Sequence, residues 1–346
     1  MFNRTTLLTL ITLLLSLPSH VSQAHNEQEK QQKLVQIKQL KDTGKTVYAM
    51  IPKSTNDPFF SYAAKGCQKE AERLGVHCIY YGSDNENPRL QEKDLLALIN
   101  AGVDGIAISA IVDGWLTDRQ RDNLRRWGKP IVAFDSPLSN ELSAAYIGTN
   151  NYLLGKQLGT ELRQLKPSGG TYCLHSERPD SPNHQDRMRG IIDGLTDGGN
   201  EEGKWLSGFS CPLYHYGDFN AAVNQMIRVI KNFDVDTFIS TGGGSQFLPE
   251  KYRQGLAPYK NAILEGQLTI ASIDTLPVQL EYLHEGLSSL NVGQRPAEMG
   301  KWSLHILDLL TNGHHAPLII NTGLTVCLPD TTNDCTDHSG LYISSH

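Results

Sequence analysis

Residues 46–82 read TVYAMIPKSTNDPFFSYAAKGCQKEAERLGVHCIYYG. Three pieces stand in order. TVYAMIP is a short apolar run stopped by Pro52, which by length and composition is a buried strand. PFFSYAAKGCQKEAERLG carries Pro58 near its first turn and stops at Gly75, the punctuation of a helix. VHCIYYG is a second apolar strand. A strand, a helix and another strand at this spacing form a β-α-β unit, whose strands run parallel with the helix packed on one face.

The rhythm continues outward. NPRLQEKDLLALINAG is a helix ending in Gly102, DGIAIS a strand, GWLTDRQRDNLRRWG a helix and PIVAFD a strand. AAYIGT, NYLLGKQLGTELRQL, GTYCLH, HQDRMRGIIDGL, SGFSCPLYHY, FNAAVNQMIRVIKNF, DTFIST, TIASID and PVQLEYLHEGL repeat the alternation. The strands are continuous apolar runs, as burial on both faces requires. They are too many for one compact sheet, so the expected fold is α/β with two successive doubly wound parallel sheets.

The N-terminus has its own grammar. Met1–Arg4 carry a positive charge, Thr5–Leu17 are apolar, and Val21-Ser22-Gln23-Ala24 fit a small-x-small cleavage site. Residues 1–24 therefore read as a cleaved secretory signal peptide, placing the chain in the periplasm. The alternative is an uncleaved anchor, but the apolar run is short for a hydrocarbon core of roughly 30 Å. The first cysteine is Cys67, so a lipid anchor at the cleavage site is not expected. Residues 25–45 are polar, and His25–Thr43 read as a solvated lead-in helix.

The remaining length suits two domains. With 39% hydrophobic and 20% charged residues the chain reads as a water-soluble globule, and a net charge of −6 leaves no electrostatic footprint for nucleic acid. Six cysteines in an exported chain imply disulfides. Of fifteen pairings, the sequential one is favoured. Cys67 sits on a helix and Cys78 in the strand after it, Cys173 and Cys211 lie in consecutive strands, and Cys327 and Cys335 close a loop in the tail. There is no C-x-x-C or H-E-x-x-H, and the 12 histidines are scattered, so neither a metal nor a cofactor is expected.

In open α/β sheets ligands sit at the carboxyl ends of strands. Lys53, Asp57, Phe59 and Phe60 follow the first strand; Ser109, with Trp115 further on, follows the third; Asp135 follows PIVAF. Arg187 lies beyond GTYCLH, Tyr216, Asp218 and Phe219 stand at a helix start, and Thr241, Asp274 and Gln294 complete the set. Carboxylates and a guanidinium bond hydroxyls strongly, and aromatic rings stack on C–H faces. That suits a small neutral polyol. Strand-end aspartates also cap helices, and Phe59 or Phe60 alone reads as a core residue before a ligand platform, one of the adjacent pair having to point elsewhere. Lys53 could meet a ligand carboxylate or pair with Asp57. G-x-S-x-G, S-x-x-K and a P-loop are absent, nothing singles out a glycosidase acid and nucleophile, and Gly242-Gly243-Gly244 reads as a tight turn, so an enzyme is not expected.

Taken in order, residues 54–75, 102–109 (GVDGIAIS), 130–135, 147–155 (IGTNNYLLG), 187–190 (RMRG), 217–220 (GDFN) and 292–300 (VGQRPAEMG) resemble the type I periplasmic binding proteins of the ribose- and galactose-binding group. That resemblance covers Thr46–Ile320. It implies two lobes joined by a three-crossover hinge near Asn150, Gln294 and Ile320. The lobes would be 46–149 plus 295–320, and 150–294 plus 321–346. It also implies ligand contacts at Lys53, Asp57, Phe59, Phe60, Ser109, Asp135, Arg187, Phe219, Thr241, Asp274 and Gln294. The expected function is a monomeric solute-binding protein that delivers a sugar to an ABC permease, with a ligand-sensing partner of a histidine kinase or chemoreceptor as the alternative. Lys53, Asp57, Ser136 and the glycines after Thr241 depart from the ribose pattern.

Overall fold

A computed structural model of the chain describes residues 17–112, 114, 116–139, 141–199, 204–232, 235–332 and 335. The expected signal peptide lies largely, and Trp115 wholly, outside them. The first half runs α1 (Leu17–Asp42), β1 (Val47–Ile51), α2 (Pro58–Leu74), β2 (His77–Tyr80), α3 (Pro88–Ala101), β3 (Gly105–Ile108), α4 (Asp118–Trp127), β4 (Ile131–Phe134) and β5 (Tyr146–Gly148). Then come α5 (Asn151–Leu165), β6 (Gly170–Ser176), α6 (Pro182–Thr196), β7 (Trp205–Ser207), β8 (Leu213–Tyr214), α7 (Phe219–Asn232) and β9 (Thr237–Ser240). The remainder is α8 (Pro249–Leu256), α9 (Lys260–Leu264), β10 (Thr269–Ile273), α10 (Pro277–His284), β11 (Leu290–Gly293), α11 (Pro296–Thr311), β12 (Ile319–Asn321) and β13 (Thr325–Cys327).

The strands form two sheets, ordered β12-β5-β4-β3-β1-β2 and β13-β11-β10-β9-β6-β7, with β8 also on β6. Neighbouring strands run parallel throughout except β13, which is antiparallel to β11. The chain passes from the first sheet to the second body between β5 and α5, returns between β11 and α11, and leaves again between β12 and β13.

Local chemistry explains the elements. Asp57 caps α2 by accepting from the Phe59 amide at 2.8 Å, Pro58 opens the helix, and Gly75 closes it at φ 71°. Asn87, Pro88 and Gly102 do the same for α3. Strand residues alternate between two cores: Ala49, Ile51, Ile106 and Ile108 face one layer, and Tyr48, Met50, Ala107 and Phe134 the other. In the second body α5 and α6 cross closely, because a Cβ on Gly155 or Gly190 would collide with the backbone carbonyl of Arg187 or Tyr152. That crossing fixes the backbone from which Arg187 projects.

Several expectations are corrected. The lead-in helix is not merely solvated: Ile37 is fully buried in the first core, and the buried Lys30 ammonium meets Asp94 at 2.7 Å. The three sequential disulfides are present, with Cα–Cα distances of 6.1, 5.4 and 6.0 Å. Cys211, however, is not in a strand. In place of one strand over 207–216 stand β7, ending at Ser207, and β8, starting at Leu213, with Gly208 to Pro212 between them, and proline cannot donate to a ladder.

Candidate functional site

The carboxyl ends of both sheets face one small cavity of about 30 Å³. One wall comes from the loops after β1 and β4, bearing Lys53, Asp57 and Asp135 with Phe59 and Phe60. The other carries Glu177 after β6, Asn183, His184 and Arg187 from α6, and Asp274 after β10. Gln294 lies at the second crossover. His215, Phe219, Phe247 and the glycines after Thr241 complete the lining.

The two strand-end aspartates share an unusual backbone. Asp135 has φ 57° and Asp274 φ 79°, left-handed values that non-glycine residues adopt only when surroundings hold them there. Asp274 accepts from the Gly243 amide at 3.1 Å and from Gln294 Nε2 at 2.8 Å. Asp135 accepts from Ser109 Oγ at 2.8 Å, Asn183 Nδ2 at 3.3 Å and Arg187 Nη2 at 3.3 Å. Arg187 also donates to Asn151 Oδ1 at 2.8 Å, the Thr241 carbonyl at 3.0 Å and Gln294 Oε1 at 3.0 Å. The guanidinium therefore ties the two walls together.

Lys53 makes a further direct bridge. Its Nζ donates to Glu177 Oε2 at 2.8 Å, Ser181 Oγ at 2.9 Å and Asn183 Oδ1 at 3.1 Å. All three partners belong to the second body, so the expected alternative of a Lys53–Asp57 pair is not what forms. Burial opposes the Glu177 carboxylate, yet the Lys53 ammonium, His184 and Glu86 together outweigh it and hold the group well below its ordinary range. Burial likewise works against the Lys53 ammonium, and the Glu177, Asp135 and Glu86 carboxylates overcome it, raising Lys53. Asp57 is pushed well above the usual carboxylate range by burial and then by Asp274, Glu177 and Asp135. Burial also raises Asp274.

Ser109 and Thr241 stand behind the lining. Ser109 holds Asp135; Thr241 Oγ1 lies 2.7 Å from His184 Nδ1. Desolvation keeps His184 and His215 below the ordinary histidine range, so both rings are neutral. Tyr216 is exposed, and Asp218 caps α7 through the Ala221 amide at 3.0 Å. Phe59 and Phe60 meet edge to face at 5.3 Å, as do Phe219 and Phe247. Both phenylalanines of the adjacent pair line the cavity, and Phe60 also packs on Phe134 at 5.9 Å.

Sequence reasoning missed Glu177, Asn183, His184, His215 and Phe247. Glu177 directly follows β6 and could have been found by the strand-end rule that found Asp135. Asn183 and His184 sit on the first turn of α6, where no strand-end signal points to them.

Comparison with known proteins follows this geometry. Residues 48–315 match the family model of the periplasmic binding protein domain. The chain is 27% identical over 297 residues to a xylose/arabinose-binding protein, XylF, of Sulfolobus acidocaldarius, covering 81% of this chain and 70% of the relative. Among solved structures, a solute-binding protein of an ABC transporter from Burkholderia graminis, in complex with D-arabinose, superimposes with TM-score 0.73 at 23% identity, covering 84% of this chain and 98% of that one. AraP, an arabinose-binding protein from Geobacillus stearothermophilus, gives TM-score 0.65 at 25% identity over 85% of this chain and all (100%) of that one. Two parallel-sheet α/β lobes with a cavity at their strand ends, and a family match over most of the chain, agree: the chain belongs to the periplasmic binding protein family.

Proposed function

We propose that the protein is an exported solute-binding subunit that closes its two lobes on a small polyol, most simply a monosaccharide, and presents it to an ABC importer. The observation that carries this reading is the cavity itself: Asp57, Asp135, Asp274 and Arg187 supply hydroxyl-bonding groups beside aromatic rings, between two bodies connected through short crossovers. Carboxylates and guanidinium recognise hydroxyls, and rings take the sugar's C–H faces. The similarity to a xylose/arabinose-binding protein and to arabinose-bound solute-binding proteins supports it.

The lobes 46–149 plus 295–320 and 150–294 plus 321–346 would move about the three crossovers. Ligand bound to one lobe gains the contacts of the other, so the closed state gains population. Binding without chemical turnover is the expected activity. The sensory-partner reading has no relative behind it among the proteins described above. Family membership supports export, and no helix among the described residues is long and apolar enough to cross a membrane. A thermal-shift screen of pentoses, hexoses, inositols and sugar acids tests the proposal. Stabilisation by a monosaccharide supports it; stabilisation by a non-sugar alone overturns it.

A further inference from the structure

We infer that Glu177 sets the charge selectivity of the cavity: by occupying the Lys53 ammonium it makes the site reject sugar acids while admitting neutral sugars. The inference rests on the sugar-binding reading above and adds a residue and a ligand class to it.

A lysine at the floor of a sugar cavity is the obvious receptor for a ligand carboxylate. In this chain it is not available. An ammonium has three hydrogens, and Lys53 donates to Glu177, Ser181 and Asn183. The pair is deeply buried, with side-chain exposures of 2% for Lys53 and 8% for Glu177. Each charge holds the other ionised, Lys53 shifted up and Glu177 shifted down.

The second cation is equally committed. Arg187 gives hydrogen bonds to Asn151, the Thr241 carbonyl, Asp135 and Gln294. A carboxylate is best held by two parallel guanidinium N–H groups, and the bonds already made leave one N–H of five. An entering acid would meet four lining carboxyl groups, Asp57, Asp135, Glu177 and Asp274, and two cations already neutralised by them. A hydroxyl meets no such penalty. It can donate to the Asp57 carboxyl, which among the described residues takes only the Phe59 amide, or to Asp274.

Glu177 is therefore a specificity residue, distinct from one that merely braces the fold. Removing its charge frees Lys53 to receive an anion. The test is calorimetric titration of the wild-type chain and of Glu177→Gln with D-xylose, L-arabinose, D-galactose and D-glucose, set against D-galacturonate, D-glucuronate and D-arabinonate. The wild type should bind a neutral sugar at least about 100-fold more tightly than any of these acids, the scale of a like-charge clash in a buried site. Glu177→Gln should shift the acid-to-neutral affinity ratio toward the acid by at least about tenfold. A bracing role would lower both affinities together and leave the ratio fixed, which overturns the assignment. Glu177→Ala carries the same expectation should the Gln variant not fold. A wild type that binds an acid as tightly as a neutral sugar overturns the inference and leaves the sugar reading standing. Binding of no sugar of either charge removes the sugar reading, and the inference with it.

Discussion

Lys53 of the first lobe and Glu177 of the second are joined Nζ to Oε2 at 2.8 Å across the cavity, both buried. The contact links the two lobes directly. Breaking a buried pair by removing one partner costs roughly 3–5 kcal/mol, because the remaining charge is stranded. In opened lobes both groups meet water, so the cost falls on closure. Lys53→Met should therefore weaken neutral-sugar binding by about 3 kcal/mol and enlarge the radius of gyration of the empty protein. Titration calorimetry and small-angle scattering measure the two effects. Unchanged affinity with an unchanged radius would show that the pair does not hold the lobes.

The docked lead-in helix makes a stability prediction. Lys30 meets Asp94 at 2.7 Å, and Asp94 is only 2% exposed. Lys30→Ala leaves that carboxylate buried, with Ser83 Oγ at 2.8 Å as a remaining partner. A loss of about 3 kcal/mol in urea unfolding is expected. Ile37→Ala, at a fully buried position, should cost about 2–4 kcal/mol. A loss below about 0.5 kcal/mol in both variants, the scale of surface changes, would mean the helix is a free appendage.

His175 gives a pH dependence with a definite sign. Burial, then the neighbouring His215, lower it from 6.5 to about 3. Its stabilising contribution is complete above the unfolded value and is lost as pH falls from 6.5 toward 3. Unfolding free energy should drop by about 2 kcal/mol from this residue between pH 7.5 and pH 5. Equilibrium unfolding of wild type and His175→Gln tests this. The variant should flatten the profile, and an equally steep profile would contradict it.

Reduction should affect the three disulfides unequally. Cys173–Cys211 spans 38 residues, Cys67–Cys78 spans 11 and Cys327–Cys335 spans 8. Loop-closure entropy gives about 4, 3 and 2.5 kcal/mol respectively, if the denatured chain bears the constraint. Paired Cys→Ser variants compared by thermal unfolding should show the largest fall in Tm for Cys173/Cys211. The reverse order would place the effect in native contacts.

Much of this was legible in the chain because local chemistry and global fold agree. The Asp57-Pro58 start and Gly75 stop mark α2, and β1 to β4 are continuous apolar runs between such marks. The helices at Pro249–Leu256 and Lys260–Leu264 were not read, since they are short and follow one another without a strand. Ile37, Leu34 and Leu40 gave a narrow apolar stripe in a polar segment, too weak to announce docking before the Asp94 partner was known. At the site, single-strand rules found Asp135 and Asp274. They could not find that Lys53 reaches Glu177, because residues separated by 124 positions meet only once two lobes face each other. Asn183 and His184 were hidden because they sit on the first turn of α6, where the strand-end rule does not reach.

The central claim is that the cavity between the lobes takes a small polyol through Arg187 and the strand-end aspartates. Calorimetric titration of the chain with neutral pentoses and hexoses, beside Arg187→Ala and Asp274→Ala, tests it most directly. The account predicts one-site saturable binding of a neutral monosaccharide to the wild type, weakened by about 2–3 kcal/mol in each variant as a buried partner is stranded. A wild type that binds none of these sugars, or variants that bind as tightly as the wild type, would contradict it.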